Sequence, residues 1–103
     1  MQGQVGRCYD ILYFEAYDHV VLMHTKENET YQCVESLKDL AKRLQDKGFV
    51  FTSRSYLVNI EHIRKVEKNM VRIAENHELS LSRSKCTEIR KLYFEWKMCR
   101  TNG

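Results

Sequence analysis

The stretch at residues 49–63, FVFTSRSYLVNIEHI, alternates short apolar runs with short polar ones. Phe49-Val50-Phe51 and Tyr56-Leu57-Val58 are apolar, and the four residues between them, Thr52-Ser53-Arg54-Ser55, are polar. Short apolar runs bounded by polar residues are typical of β-strands joined by an exposed loop. Asn59 follows the second run and has the side chain that best caps a single helical turn at residues 60–63. The stretch therefore predicts two short strands that lead into one helical turn.

Toward the N-terminus, three more apolar runs indicate further strands. Residues 11–16 (ILYFEA) and 19–25 (HVVLMHT) predict a hairpin with a tight turn at Tyr17-Asp18. Residues 29–34 (ETYQCV) alternate polar and apolar side chains, as a half-buried strand does. The first half of the chain is thus mainly β.

One amphipathic helix follows these strands. Ser36 is placed to cap its N-terminus, with Asp39 three residues later, and Gly48 suits the left-handed position that ends a helix. Helical spacing puts four apolar side chains on one face: Leu37, Leu40, Ala41 and Leu44.

The second half of the chain predicts a hairpin, a strand and a second helix. Residues 64–67 and 70–74 read as strands around a turn at Lys68-Asn69, and residues 79–81 read as a strand with Leu79 and Leu81 facing inward. The helix begins near Ser82 or Ser84 and runs to about Met98. Its apolar face is formed by Cys86, Ile89, Tyr93 and Trp96.

Length and composition define the class of protein. A chain of 103 residues with 43% hydrophobic and 30% charged residues predicts a single globular domain over residues 1–103. No apolar run approaches the roughly 20 residues of a membrane span, and no secretory signal is visible. The four cysteines show no metal-binding spacing, which favours reduced thiols in a cytoplasmic protein.

The sequence contains no pattern that indicates catalysis. No nucleophile elbow, metalloprotease or phosphate-loop motif is present, and the carboxylates are scattered. His19 and His24 are five residues apart on one predicted strand and would face opposite ways, so they cannot bind one metal ion together. We therefore expect a protein that is not an enzyme, with no metal and no cofactor.

The sequence supports contact with nucleic acid better than catalysis, although a net charge of +3 is by itself only weak evidence for it. Three polar segments end predicted strands: Asp18-His19, residues 52–55, and residues 82–85 (SRSK). Hydroxyl groups and lysines bind phosphate oxygens, and an arginine can bind guanine O6 and N7 with two hydrogen bonds. Residues 83–100 also carry six basic residues against two acidic ones. Taken singly, each segment could equally be a helix cap, a turn or ordinary surface.

Taken together and in order, these segments resemble the LytTR domain, the DNA-binding output domain of LytR/AgrA-type bacterial response regulators. Residues 10–16 (DILYFEA) are similar to its opening strand, D-I-x-Y-I-E-A, and residues 36–40 (SLKDL) to its S-L-x-x-L helix start. Residues 51–59 (FTSRSYLVN) resemble its F-x-R-x-H-R-S-x-L-V-N signature, and residues 81–84 (LSRS) its L-x-V-S-R ending. The resemblance runs almost end to end.

That resemblance implies a mainly β fold of about ten short strands in small sheets, with one or two peripheral helices. It implies that loops enter successive major grooves of bent double-stranded DNA. Three family positions that contact bases fall on His19, Arg54 and Arg83. Ser53, Ser55, Ser82 and Lys85 would then be their phosphate-binding neighbours. Thr52-Ser53 stands where the family often has a basic residue and a histidine, so one contact would be missing.

The resemblance also implies partners beyond DNA. A receiver domain and a sensor kinase belong to such two-component systems, and we expect the receiver to lie outside these 103 residues. The isolated domain would be a monomer that occupies repeated half-sites as a dimer on DNA. The alternative is a protein-interaction module that kept the fold and lost specific DNA binding. The two differ in salt dependence, because only the DNA-binding domain would release several counterions on binding DNA.

Overall fold

The computed structural model describes residues 10–102, with their side chains through residue 98. Over this range the chain is mainly β, with two small sheets and two α-helices, which confirms the predicted class. The described residues contain eight strands, where the resemblance implies about ten, and the sparsely apolar region before Asp10 lies outside them. The strands are β1 (Ile11–Tyr17), β2 (Val20–Thr25), β3 (Thr30–Cys33), β4 (Phe49–Ser53), β5 (Tyr56–Asn59), β6 (Ile63–Val66), β7 (Met70–Ile73) and β8 (His77–Ser80); the helices are α1 (Leu37–Leu44) and α2 (Cys86–Asn102).

The larger sheet is antiparallel, in the order β3-β2-β1-β5-β4, and the smaller one in the order β6-β7-β8. β1 is the central strand of the larger sheet, because Phe14 pairs with Met23 of β2 on one side and Leu57 of β5 on the other. Of the two strands predicted from residues 49–63, β5 is thus adjacent to the opening strand, and β4 pairs with the other side of β5.

The turn between β1 and β2 lies one residue later than predicted. Asp18 and His19 form it, with φ angles of 49° and 72°. A two-residue hairpin turn with positive φ at both positions has the twist that suits antiparallel strands. The predicted turn at Tyr17-Asp18 was wrong, as was the placement of His19 on a strand with His24. Asn-Gly or Asp-Gly usually marks such a turn, and neither pair stands at residues 17–20.

α1 covers one face of the larger sheet. Its N-cap is confirmed, since Ser36 Oγ accepts a hydrogen bond from Asp39 N at 3.1 Å. After α1 a 3-10 turn ends at Gly48, which has φ +85°. The helix and sheet bury one core, made by Ile11, Phe14, Val21, Leu37, Leu40, Leu44, Phe49 and Leu57.

The other core lies where the two sheets and α2 meet. Leu12 and Tyr13 contribute to it from β1, and Ile89 contributes from α2. β1 is therefore buried on both faces, which explains its nearly continuous apolar sequence. The rest of this core comes from Val58, Ile60, Ile63, Val71, Ile73, Leu79 and Leu81.

Asn59 joins the larger sheet to the helical turn, as its position suggested. Its side-chain oxygen accepts from Glu61 N at 3.0 Å, which confirms the cap, and its Nδ2 donates to the carbonyl of Ile11 at 2.9 Å. The turn is a 3-10 turn over Ile60–His62.

The C-terminal elements agree with the prediction except at their ends. The hairpin around Lys68-Asn69 is confirmed. The last strand covers His77–Ser80, while Leu79 and Leu81 are both buried as expected. α2 begins at Cys86, after a separate 3-10 turn at Arg83–Lys85, so its start lies later than Ser82 or Ser84.

Candidate nucleic-acid interface

Two backbone hydrogen bonds bring the three polar segments to one edge of the molecule. Ala16 N, at the end of β1, donates to Ser55 O at 2.8 Å, so the β1–β2 turn lies beside the β4–β5 loop. Ser82 N donates to Thr52 O at 2.7 Å, so the segment before α2 lies beside the other side of that loop. The β4–β5 loop is therefore central, with one segment on each side of it.

The three residues assigned to base contacts are exposed on this edge. His19 lies in the β1–β2 turn, Arg54 at the tip of the β4–β5 loop, and Arg83 at the start of the 3-10 turn before α2. Within the described residues, none of the three side chains forms a hydrogen bond or an ion pair with another side chain or the backbone. Their donors are thus available to a ligand.

His19 and Arg54 line the same groove, of about 670 Å³, between the β1–β2 turn and the segment that leads into α1. Arg83 is not among the lining residues. The groove also contains the carboxylates of Asp18 and Glu35. The base-contact candidates are thus arranged as a pair, His19 and Arg54, around one groove, with Arg83 on the other side of the loop.

The predicted phosphate-binding residues flank these three. Ser53 Oγ accepts from Ser55 N at 3.3 Å, a bond that shapes the tip of the loop. Ser82 Oγ lies 3.3 Å from Ser84 Oγ, and Lys85 Nζ lies 3.8 Å from Glu88 Oε1. Ser55 is exposed, and Ser53, Ser82 and Lys85 are partly exposed. All four are accessible, although the Glu88 carboxylate would compete with a phosphate for Lys85.

Thr52 differs from the other residues of its polar segment. Its side chain is fully buried, and within the described part of the chain its Oγ1 has no hydrogen-bond partner. The accessible part of the segment is thus Ser53 to Ser55, and the departure from the family pattern at Thr52 falls on a core position. Thr52 is the second-to-last residue of β4, on the same face of the strand as Val50.

Two residues to which the sequence analysis assigned no binding role lie at this edge. Tyr17, 62% exposed, is the last residue of β1 and lines the groove with His19. Ser84 is exposed and shares a hydroxyl contact with Ser82. An aromatic residue at the end of a strand is only weak sequence evidence for a binding surface, because aromatic residues are also common in buried strands.

Among the described residues, no group of three or more His, Cys, Asp or Glu side chains is arranged to hold a metal ion. Cys33 and Cys86 are free thiols, whereas Cys8 and Cys99 lie outside the residues whose side chains are described. None of the described helices is both long and apolar enough to span a membrane.

The described residues thus form a two-sheet, mainly β domain with cationic and hydroxyl-bearing loops along one edge. Comparison with known proteins identifies the family. The family model of the LytTr DNA-binding domain matches residues 6–94, so the chain belongs to the LytTr DNA-binding domain family, a family of DNA-binding rather than catalytic domains.

The fold agrees with that assignment. Among solved structures, the chain is similar to the LytTr DNA-binding domain of a protein described as a methyl-accepting/DNA response regulator from Bacillus cereus. The TM-score is 0.72 at 24% sequence identity, and the match covers 81% of this chain and 80% of that one. A search of curated proteins found no match.

Proposed function

We propose that this domain binds specific sequences of double-stranded DNA through the β1–β2 turn, the β4–β5 loop and the segment before α2. The observation that carries the proposal is the pair of backbone hydrogen bonds, Ala16–Ser55 and Ser82–Thr52, that hold the three loops along one edge. Membership of a DNA-binding family supports it independently. In this proposal the loops enter successive major grooves on one face of the duplex.

In this proposal His19, Arg54 and Arg83 contact bases. A guanidinium group with no partner in the described structure can form two parallel hydrogen bonds with guanine, which gives discrimination as well as affinity. Ser53, Ser55, Ser82 and Lys85 bind phosphate oxygens and set the register of the domain on the duplex.

The biological role we infer is transcription regulation, as the output domain of a two-component response regulator in the bacterial cytoplasm. A receiver domain and a sensor kinase would be its partners. The 103 residues would act as one domain, monomeric alone and paired on repeated half-sites of DNA. Half-sites on one face of the duplex lie about one helical turn apart, or a multiple of it.

The experiment is selection from a randomised duplex pool, followed by fluorescence anisotropy titration of the enriched sequence at several salt concentrations. We expect a repeated motif and a slope of log K against log salt of about −4 to −5, for about five neutralised phosphates. Weak binding to every duplex with no enriched motif would favour the protein-interaction module instead.

Single substitutions test the assigned roles. Arg54→Ala and Arg83→Ala should each weaken binding to the selected sequence by about 1–3 kcal/mol and relax preference at one base position. Arg72→Ala is the matched control, because Arg72 lies in β7 and donates to Glu78 Oε2 at 2.9 Å. It should leave affinity unchanged. If Arg72→Ala and Arg54→Ala weakened DNA binding equally, Arg54 would contribute only its positive charge and no contact with a base.

Lys85→Ala separates phosphate contact from base contact. It should weaken binding to all duplexes alike and make the salt slope shallower by about one. A change in base preference with an unchanged slope would contradict its role as a phosphate contact. Thermal unfolding of each variant checks that these exposed side chains do not support the fold.

A further inference from the structure

A second cavity, of about 360 Å³, lies between the two sheets. One wall comes from β1 and the β2–β3 turn of the larger sheet. The other comes from the 3-10 turn at Ile60–His62, the start of β6 and the β7–β8 turn. The residues that line it are Leu12, Lys26, Asn28, His62, Arg64, Ala74, Glu75, Asn76 and His77.

This cavity is separate from the proposed DNA interface. Leu12 lies near the start of β1, whereas the interface begins at the other end of that strand, beyond Tyr17. Five strand steps separate the two residues, or roughly 17 Å at about 3.3 Å per residue. A ligand here would not overlap the loops that we assign to DNA.

The rim of the cavity is rich in hydrogen-bond donors that have no partner. In the described part of the chain, the side chains of Arg64, Asn28 and Asn76 make no hydrogen bond or ion pair. Lys26, 3.7 Å from Asp10 Oδ1, adds a second cation. Glu75 is the one carboxylate among the lining residues, and Asp10 lies beside Lys26, so Arg64 is the lining cation that has no ion pair within the described residues.

The inner wall adds a further donor, from His77. Its Nδ1 lies 3.3 Å from the Tyr13 hydroxyl. Burial, with smaller contributions from Glu15 and Tyr56, raises the pKa of Tyr13 to about 12, so this phenol is protonated at neutral pH and can donate to Nδ1 or accept from it. In the tautomer in which Nδ1 accepts, the proton of neutral His77 is on Nε2, which is then a second donor on a ring that lines the cavity.

We propose that this cavity binds a small anion through a phosphate or carboxylate group, with Arg64 as the main charged contact. Unpaired donors that line one concave site, together with the apolar side chain of Leu12, suit an acceptor-only ligand. Its size admits a small metabolite but not a polymer. The proposal goes beyond the proposed DNA binding and does not depend on it.

The experiment is NMR titration of the full chain at neutral pH with inorganic phosphate and, separately, with succinate. We expect saturable shifts in the ring resonances of His77 and the side-chain amides of Asn28 and Asn76. Arg64→Gln should weaken the affinity about tenfold or more, because it removes a charge-assisted hydrogen bond. Arg90→Gln is the control, since Arg90 is an exposed arginine of α2 that does not line the cavity.

Three results would overturn the proposal: no saturable shift with either anion, equal weakening by Arg64→Gln and Arg90→Gln, or shifts spread over all basic side chains. Comparison of the affinities for phosphate and for succinate shows whether the cavity prefers a phosphate or a carboxylate group. Adding a DNA duplex to the phosphate-bound protein should leave the His77 shift in place. Displacement of phosphate by the duplex would also overturn the proposal, since it would make the cavity part of the DNA interface.

Discussion

At the scale of single residues, Thr52 lies at the boundary between the buried core and the candidate interface. It lies in β4, two residues before the exposed loop tip at Arg54, and its carbonyl accepts the hydrogen bond from Ser82 N. Its backbone thus helps to assemble the interface, while its hydroxyl is buried and has no partner in the described residues.

We therefore expect Thr52→Val to stabilise the domain, or to leave it unchanged. A buried hydroxyl without a hydrogen bond costs about 1–3 kcal/mol, and valine keeps the shape of the side chain. Urea unfolding measures the difference, with Thr52→Ser as the control that keeps the hydroxyl and loses a methyl group, at a cost of about 1 kcal/mol. A loss of more than 1 kcal/mol in Thr52→Val would mean that the hydroxyl has a partner in solution.

The sequence predicts the individual residues of the candidate site, but it does not predict how they are arranged in space. The side chains of His19, Arg54 and Arg83 have chemistry that suits DNA, and the resemblance places all three. Their common location depends on β1 pairing with β5 and on Ser82 contacting β4. Those contacts join segments about 30 to 40 residues apart, which local spacing does not specify.

At the scale of elements, the end of α1 is coupled to α2 through Gly48 and Trp96. Gly48 has φ +85°, and a Cβ built on it would lie 2.7 Å from Trp96 Cη2. The Trp96 indole is held in place by a hydrogen bond from Nε1 to Glu61 Oε2 at 3.0 Å. Sequence predicted the glycine as a helix end, but its second role, leaving room for an indole 48 residues later, needs the packed structure.

Gly48→Ala should accordingly destabilise the domain by more than the backbone effect alone. The left-handed conformation costs a residue with a Cβ roughly 1–2 kcal/mol, and the close contact with the indole adds to this. Chemical unfolding followed by far-UV circular dichroism, which does not depend on Trp96, measures the loss. In a Trp96→Leu background the same substitution should cost less, because the ring is gone. Equal costs in both backgrounds would show that only the backbone matters.

The element boundaries that were predicted wrongly share a physical cause. The β1–β2 turn and the start of α2 were each misplaced, and both lie beside the β4–β5 loop. At the first, Asp18 and His19 adopt positive φ without glycine, and at the second a 3-10 turn replaces the first turn of helix. Local patterns describe regular elements well, whereas these irregular backbones are held by contacts with the rest of the fold.

At the scale of the whole molecule, one aromatic cluster joins the two sheets. His77 of β8 contacts Tyr13 of β1, with ring centroids 5.5 Å apart, and Tyr13 stacks on His24 of β2 at 4.4 Å. His24 in turn contacts Glu15 through Nε2 at 2.8 Å. The packing of one sheet on the other thus includes titratable groups as well as apolar ones.

This cluster should make folding stability depend on pH. Burial, and then the charge of His24, lower the pKa of His77 below its ordinary value of 6.5. In the pH range below 6.5 the unfolded chain binds this proton more readily than the folded one. The contribution of His77 to stability is therefore fully present above pH 6.5 and is lost as the pH falls through the lowered pKa.

The measurement is the urea midpoint of unfolding between pH 5 and pH 8 for the natural sequence and for His77→Gln. We expect the natural sequence to lose stability toward pH 5 more steeply than His77→Gln. His19→Gln, which changes an exposed turn residue, should keep the steep slope. Parallel curves for the natural sequence and His77→Gln would assign the acid sensitivity to other groups and leave the contact between the sheets insensitive to pH. A shallower slope in His77→Gln alone would show that the titrating group lies where the two sheets meet.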